Sequence, residues 1–371
     1  MATVNEILAD ESVAHAVDLA QYSQGVLQRM VALLNRVDTD LAAELAAALE
    51  RLPADSFTVE RLELLLQSVR DLNVQAYAAV LGALEGELQA LAEYEAGYQL
   101  SLFEEVIPEP VQVRFPIASV TPAQVYAAAM SRPFQGRLLR DWASQIEAGR
   151  MTKIREAVRV GYLEGETASQ IVRRIRGSRA EKYADGILQR PRRDLMAVVQ
   201  TAIGHTAAVA REQFVEANGD IIKAVRWVST LDNRTSEICR IRDQKRYTPV
   251  DHKPIGHKIP WLQGPGKAHW NCRSTSSPVT KSWRELGIDI DEIDSGTRAS
   301  MDGQVPAETT YSQWLQRQSA ARQDQVLGPE RGRLLREGGL KLEDFYSPTG
   351  KWLSIEQLKQ RDAEAFARIA A

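Results

Sequence analysis

The stretch RLELLLQSVRDLNVQAYAAVLGALEGELQAL, residues 61–91, decides the fold class. Its apolar side chains recur at Leu62, Leu66, Val69, Leu72, Tyr77, Val80, Leu84, Leu88 and Leu91. Steps mostly of three and four place them on one stripe of a helix rather than on alternate faces of a strand. Upstream, Leu41, Leu45, Leu49 and Leu52 repeat the pattern, and the polar turn Pro53-Ala54-Asp55-Ser56 separates the two runs. A second break falls at Ile107-Pro108-Glu109-Pro110. Residues 1–110 therefore read as a helical arm, a hairpin or small bundle whose stripes pack on one another or on a partner.

Helical signals continue downstream. After an expected extended linker over Val111–Pro116, Thr121-Pro122-Ala123-Gln124 combines a cap, a first-turn proline and a glutamine at the third helical position, predicting a helix over 121–130. Leu138, Leu139, Trp142 and Ile146 predict a second helix ending at Gly149, and a third runs from Met151 to Leu163. Thr167-Ala168-Ser169-Gln170 opens another with a second capping box, and Asp194–Phe214 is helical as well. The β-branched run Ile221–Val228 then reads as a strand. From Arg246 to Ser277 the chain is rich in Pro, Gly, His and Trp, without helical periodicity. Such a segment has to be held by specific side-chain contacts, ligands or a partner. A helical tail is expected from about residue 308, with Ser354-Ile355-Glu356-Gln357 starting the last helix. The fold class is thus mainly α, with a small α+β module near 215–280, divided as 1–110, 111–214, 215–295 and 296–371.

Composition narrows the function. Two cysteines in 371 residues cannot build a disulfide framework. No run approaches the roughly 18 apolar residues of a spanning helix, and no basic, apolar leader opens the chain, so synthesis in the cytoplasm and no membrane partner are expected. The net charge of −3 conceals a split: residues 1–115 carry 6 Lys/Arg against 19 Asp/Glu, and residues 150–215 carry 13 against 7. Two modules with different partners fit that split, as do two solvated helix surfaces. Arg173, Arg174, Arg176 and Arg179, with Arg190, Arg192 and Arg193, are candidates for nonspecific contact with DNA phosphates. The short turn before Ile171 resembles a helix-turn-helix, but nothing supplies the dimer element of a sequence-specific reader. Aromatic residues at 6% are too sparse for a single-strand stacking platform.

One constellation could carry chemistry. Asp232, Cys239, His252, His257, His269 and Cys272 gather both cysteines and three of the five histidines within about forty positions. His269-Trp270-Asn271-Cys272 has a step at which imidazole and thiolate could share a zinc ion, with Cys239 and His257 as further candidate ligands. Cys239 lacks the second cysteine of a CxxC pair. The competing readings are two small buried apolar groups, a cysteine pair able to oxidise once outside the cell, a Cys/His nucleophile, and a metal-dependent nuclease or hydrolase using Asp232, His252, His269 and Cys272. The expectation is that Cys239, His269 and Cys272 meet with no catalytic role and no cofactor, zinc being the alternative. Asp232 and Arg234 would fix the turn before the first cysteine, and Trp227, Trp261 and Trp270 would supply buried contacts.

These residues also carry a resemblance. Trp227-Val228-Ser229-Thr230-Leu231-Asp232-Asn233-Arg234-Thr235-Ser236, followed by Cys239 and closed by His269-Trp270-Asn271-Cys272-Arg273-Ser274, resembles the signature of the Mu F-like minor head proteins of tailed bacteriophages. In that family a Trp-containing strand leads into an Asp-x-Arg-Thr turn and a cysteine, and a Pro/Gly-rich segment ends in His-x-x-Cys-Arg. The likeness spans about residues 120–280 and departs at two places, where Ser236 and Ser274 stand near positions at which the family has further cysteines. It implies a protein present in few copies inside the capsid at the portal vertex, acting in head assembly and in DNA packaging or delivery. The implied partners are the portal protein, major capsid or scaffold proteins and packaged double-stranded DNA, with copies arranged around the portal. The structural motif so carried over is Trp227, Asp232, Arg234, Thr235, Cys239, His269, Cys272 and Arg273, and no catalytic residue is implied.

Overall fold

A computed structural model describes residues 3–51, 58–289, 297–306 and 308–370. Leu52 and the turn at Pro53–Ser56 lie outside the described residues. The fold is mainly helical with a small antiparallel sheet. Helices come first: α1 (Val4–Glu50), α2 (Val59–Leu65), α3 (Gln67–Val106), α4 (Glu109–Arg114), α5 (Pro122–Ser131), α6 (Leu139–Leu163), α7 (Ala168–Arg176) and α8 (Gln189–Ala217). Then come β1 (Ile222–Val228), α9 (Glu237–Arg240), β2 (Arg246–Tyr247), β3 (Pro254–Ile255), β4 (Thr275–Thr280) and the hairpin β5 (Thr297–Ser300) with β6 (Gly303–Pro306). The tail holds α10 (Tyr311–Gln316), α11 (Ala320–Leu327), α12 (Pro329–Arg336), α13 (Ile355–Arg361) and α14 (Ala363–Ala370). Among the described residues no helix is long and apolar enough to cross a membrane.

Two compact units emerge, and neither is a consecutive segment. A mixed unit takes the described residues of Met1–Ala20, Ala92–Ala129 and Gly204–Ala371, and a helical unit takes those of Gln21–Leu91 and Met130–Ile203. This differs from the four consecutive segments expected from composition, because α1, α3 and α8 each contribute residues to both units. Hydrophobic periodicity continues unbroken through such helices and carries no boundary signal.

Within the helical unit the sequence stripes meet. Leu41, Leu45 and Leu49 of α1 pack with Leu62, Leu66 and Val69, with Met151, Ile154 and Val158 of α6, and with Ile171 and Ile175 of α7. A buried charge cluster joins this core. Asp38, 4% exposed, accepts hydrogen bonds from Arg150, 2% exposed, and from Arg192 at 2.6 Å. Gly149 does not end a helix as expected; it lies inside α6 with open space around its Cα, so the helix bears only the modest propensity loss of glycine. The capping box at Thr167 is fully formed, with Gln170 N donating to Thr167 Oγ1 at 3.3 Å and Thr167 N to Gln170 Oε1 at 2.7 Å.

The mixed unit is built on β1, whose side chains are almost all buried, as a central strand requires. The sheet order is β3-β2-β1-β4, all antiparallel, with Val225 opposite both Tyr247 and Pro278. Trp227, Tyr247 and Trp261 form its apolar face together with Phe103, Ile107 and Val111. The stretch after Pro108 is therefore not an extended linker: Pro110 fits the first turn of α4, and burial of Val111 rewards the turn. The tail also packs here, where Tyr311, Trp314, Phe345 and Tyr346 share a core with Leu231, Ile241 and Ile259. Ser354 caps α13 with both halves of the box, but α14 follows it, so the predicted last helix is the last but one.

One close approach sets the position of the Pro/Gly-rich segment. A Cβ on Gly204 of α8 would stand 2.7 Å from the carbonyl oxygen of Gly266, and Gly266 itself has φ +81°. Next to it, buried Lys267 pairs with Glu212 of α8 at 2.9 Å. In the helical unit, Asp38→Ala would strip buried Arg150 of its carboxylate. The expected cost is about 3–5 kcal/mol in equilibrium denaturation of the full chain, whereas a surface pair would cost under about 1 kcal/mol.

Candidate functional site

The turn after β1 is organised by one carboxylate. Asp232 accepts the Arg234 amide at 3.0 Å and a two-pronged contact from Arg273, at 2.5 and 2.9 Å. The Thr235 hydroxyl lies 3.1 Å from the same carboxylate and donates to the Thr230 carbonyl. A fork on a carboxylate fixes direction as well as distance, so Asp232 joins the chain before α9 to the chain just before β4. Burial opposes ionisation of Asp232, but the Arg273 charge, the Arg234 amide and the Thr235 hydroxyl outweigh it and hold the carboxyl below its ordinary range.

Four residues later Ser236 caps α9, accepting the Cys239 amide at 3.4 Å. That short turn delivers Cys239, 1% exposed, into the apolar core. From the other side, a tight turn in which Cys272 N donates to His269 O at 3.2 Å, with Asn271 at φ +56°, brings in His269 and Cys272. Asparagine tolerates this left-handed conformation better than most residues. Cys239 Sγ lies 3.7 Å from Cys272 Sγ and 3.3 Å from His269 Nε2. The Ser236 hydroxyl lies 2.8 Å from the same Nε2. Both cysteines are free thiols.

The pair is electrostatically unequal. Its hydrogen bond to Cys272, together with burial, pushes the Cys239 thiol up, whereas acceptance of that bond and the neighbouring His269 pull Cys272 well down despite burial. Burial disfavours the His269 imidazolium, but the Cys272 sulfur and the Trp270 carbonyl outweigh it and raise His269. The arrangement can share protons among sulfur and nitrogen, and it presents soft donors.

Of the other sequence candidates, His252 stacks on Trp261, with ring centroids 4.5 Å apart. His257 accepts the Ile259 amide at 3.2 Å and contacts the Arg246 carbonyl at 2.9 Å. Neither joins the convergent group, which among the described residues is Cys239, His269 and Cys272. Trp227 is fully buried and meets Trp261 edge to face at 5.3 Å, while Trp270 is half-buried. The candidate DNA contacts divide as well. Arg174 is engaged by Glu164 and Glu166, Arg192 by Asp38, and Arg176 donates to Thr39. Arg173, Arg179, Arg190 and Arg193 are exposed.

Several residues that hold the site carry no sequence signal. Asp243 accepts the Ser229 amide and the Tyr311 amide, each at 2.8 Å. The Tyr311 hydroxyl donates to the Asp232 carbonyl at 2.8 Å, and the Tyr346 hydroxyl to the Glu237 carbonyl at 3.0 Å. Arg242, 2% exposed, donates to the Pro260 carbonyl at 2.8 Å and so spans the neck of the Pro/Gly-rich segment. A lone Tyr or Arg in a sequence does not name its partner, and the Thr310 capping box before Tyr311 marks only the start of α10.

Replacing Asp232 by Asn would leave the Arg273 fork without a charged acceptor. The expected loss at pH 7 is about 2 kcal/mol. Because the folded-state pKa of Asp232 is depressed, its contribution is complete above the unfolded value of about 3.9 and is lost as pH falls through the folded one. Denaturant midpoints of wild type and variant should therefore converge below about pH 4.

Residues 152–277 match the model of the family described as Phage Mu protein F like protein, so this stretch of the chain is similar to Mu F-like proteins. No curated protein and no solved structure matches the chain.

Proposed function

We propose that this chain, Mu F-like over residues 152–277, is a minor head protein placed inside the capsid at the portal vertex, where it serves head assembly and DNA packaging or delivery. The family match carries the reading: a Mu F-like protein is a phage head-morphogenesis protein and belongs to the virion. The site geometry supports a structural role over an enzymatic one. Asp232 is committed to Arg273, and His252 is stacked on Trp261, so the nuclease or hydrolase set of Asp232, His252, His269 and Cys272 is not assembled as a unit.

The proposed partners are the portal protein, capsid or scaffold proteins and packaged double-stranded DNA, with several copies around the portal. The exposed Arg173, Arg179, Arg190 and Arg193 would contact DNA phosphates without reading sequence. If so, alanine at all four positions should weaken binding to unrelated duplexes equally and flatten the dependence of log affinity on log salt by up to about 0.9 per lost contact.

The assembly reading is tested in infected cells. The chain should co-purify with portal rings and packaged heads, and Asp232→Ala or His269→Ala should lower the yield of filled heads. A metal-dependent hydrolytic activity of the purified chain, lost in those variants while they still fold and enter heads, would overturn it.

A further inference from the structure

The convergent donors have the metrics of a metal site. A tetrahedral zinc ion with Zn–S of about 2.3 Å and Zn–N of about 2.0–2.1 Å sets its ligand sulfurs about 3.8 Å apart and its sulfur and nitrogen about 3.6 Å apart. The corresponding separations are 3.7 Å for Cys239 and Cys272 and 3.3 Å for Cys239 and His269, and all three donor atoms lie within 4.8 Å of one another. A sulfur separation of 3.7 Å is far beyond the roughly 2.05 Å of a disulfide.

The orientation of the imidazole is a separate observation. His269 Nδ1 lies 2.9 Å from the Trp270 carbonyl oxygen, which can only accept, so Nδ1 carries a hydrogen. In the neutral ring the lone pair is then on Nε2, the atom that faces the sulfur of Cys239. A backbone carbonyl holding the remote ring nitrogen is how metal-binding histidines are fixed in tautomer and direction. The backbone is prepared as well: α9 presents Cys239, and the turn at Asn271 presents His269 and Cys272 from a single stretch of chain.

Burial adds the energetic argument. Cys239 is 1% exposed and Cys272 is half-buried, so thiolates formed on binding a metal ion would be shielded from water and stabilised by its charge. Arg273 supplies one positive charge but spends it on Asp232. A divalent ion neutralises both thiolates, and the soft sulfur and imidazole donors select zinc over calcium or magnesium.

We propose that Cys239, His269 and Cys272 bind one zinc ion, completed by a solvent oxygen beside the Ser236 hydroxyl, and that this ion clips the Pro/Gly-rich segment between the two cysteines. Binding releases two protons from the Cys239, His269 and Cys272 group as the two Zn–S bonds form, and nothing is oxidised or reduced. The site stands apart from the head-protein reading, since metal content is measured on the isolated chain whether or not it enters particles.

The test uses the full chain, purified under reducing conditions without chelator. Elemental analysis should find one zinc per chain. After the zinc is removed, titration with cobalt(II) alone should produce thiolate-to-cobalt charge-transfer absorption, and protease resistance between Cys239 and Cys272 should fall with the zinc and return with it. C239S, C272S and H269Q should each lower zinc affinity at least tenfold. Should these variants not fold, the wild-type zinc content and cobalt spectrum still decide. Wild-type protein with well under one zinc per chain and no cobalt charge transfer would overturn the proposal. So would a chain isolated two hydrogens light, with Cys239 joined to Cys272 as a disulfide, or zinc retained at full affinity in a folded H269Q.

Discussion

Closure of one loop governs the mixed unit. Cys239 and Cys272 are 33 positions apart, and bringing the ends of such a segment together costs about 3–4 kcal/mol of chain entropy before any contact is gained. The segment has little regular structure with which to offset this, since β2 and β3 contribute two residues each. The compensation comes from fixed polar contacts at its neck. Asp232 grips Arg273, Arg242 holds the Pro260 carbonyl, and Lys267 pairs with Glu212. Each is buried or half-buried, so each is screened little by water and is expensive to break. Once the neck is closed, β4 can pair with β1 over its whole length, and the sheet exists.

The same constraint explains why the tail belongs to the module. Tyr311 and Tyr346 each reach across to a backbone carbonyl near α9, and Tyr311 also gives its amide to Asp243. Their rings seal the apolar side of the turn with Leu231 and Ile241. A buried tyrosine hydroxyl needs an acceptor, and the irregular backbone between β1 and β2 has carbonyls to offer. Burial raises the Tyr346 phenol far above its usual range and so favours the neutral donor. The tail thus packs over the turn that Asp232 organises.

The helical unit follows different physics. Its apolar contacts come from regular stripes, and a buried charge cluster, Asp38 with Arg150 and Arg192, ties α1, α6 and α8 at a single point. Removing either partner strands a charge, whereas the surrounding leucines could pack in several registers. The cluster is suited to select one register among them. Arg173 and Arg174 are adjacent in sequence, yet Arg173 is exposed whereas Arg174 is held by Glu164 and Glu166.

Sequence alone determined what is local. Helical stripes, the capping boxes at Thr121, Thr167 and Ser354, and the strand at Ile222–Val228 were legible because their period and end signals lie within a few residues of one another. The convergence of Cys239, His269 and Cys272 was legible from their clustering and from the motif that surrounds them. Tertiary structure decided the rest. Gly149 continues a helix because neighbouring turns hold it, and α4 forms because Val111 finds a core. His252 and His257 stay out of the donor group because Trp261 and the backbone near Arg246 and Ile259 engage them first. Asp243, Tyr311 and Tyr346 matter through partners up to 109 positions away. Pairings at that distance are set by packing of the whole unit, and no periodicity in the chain encodes them.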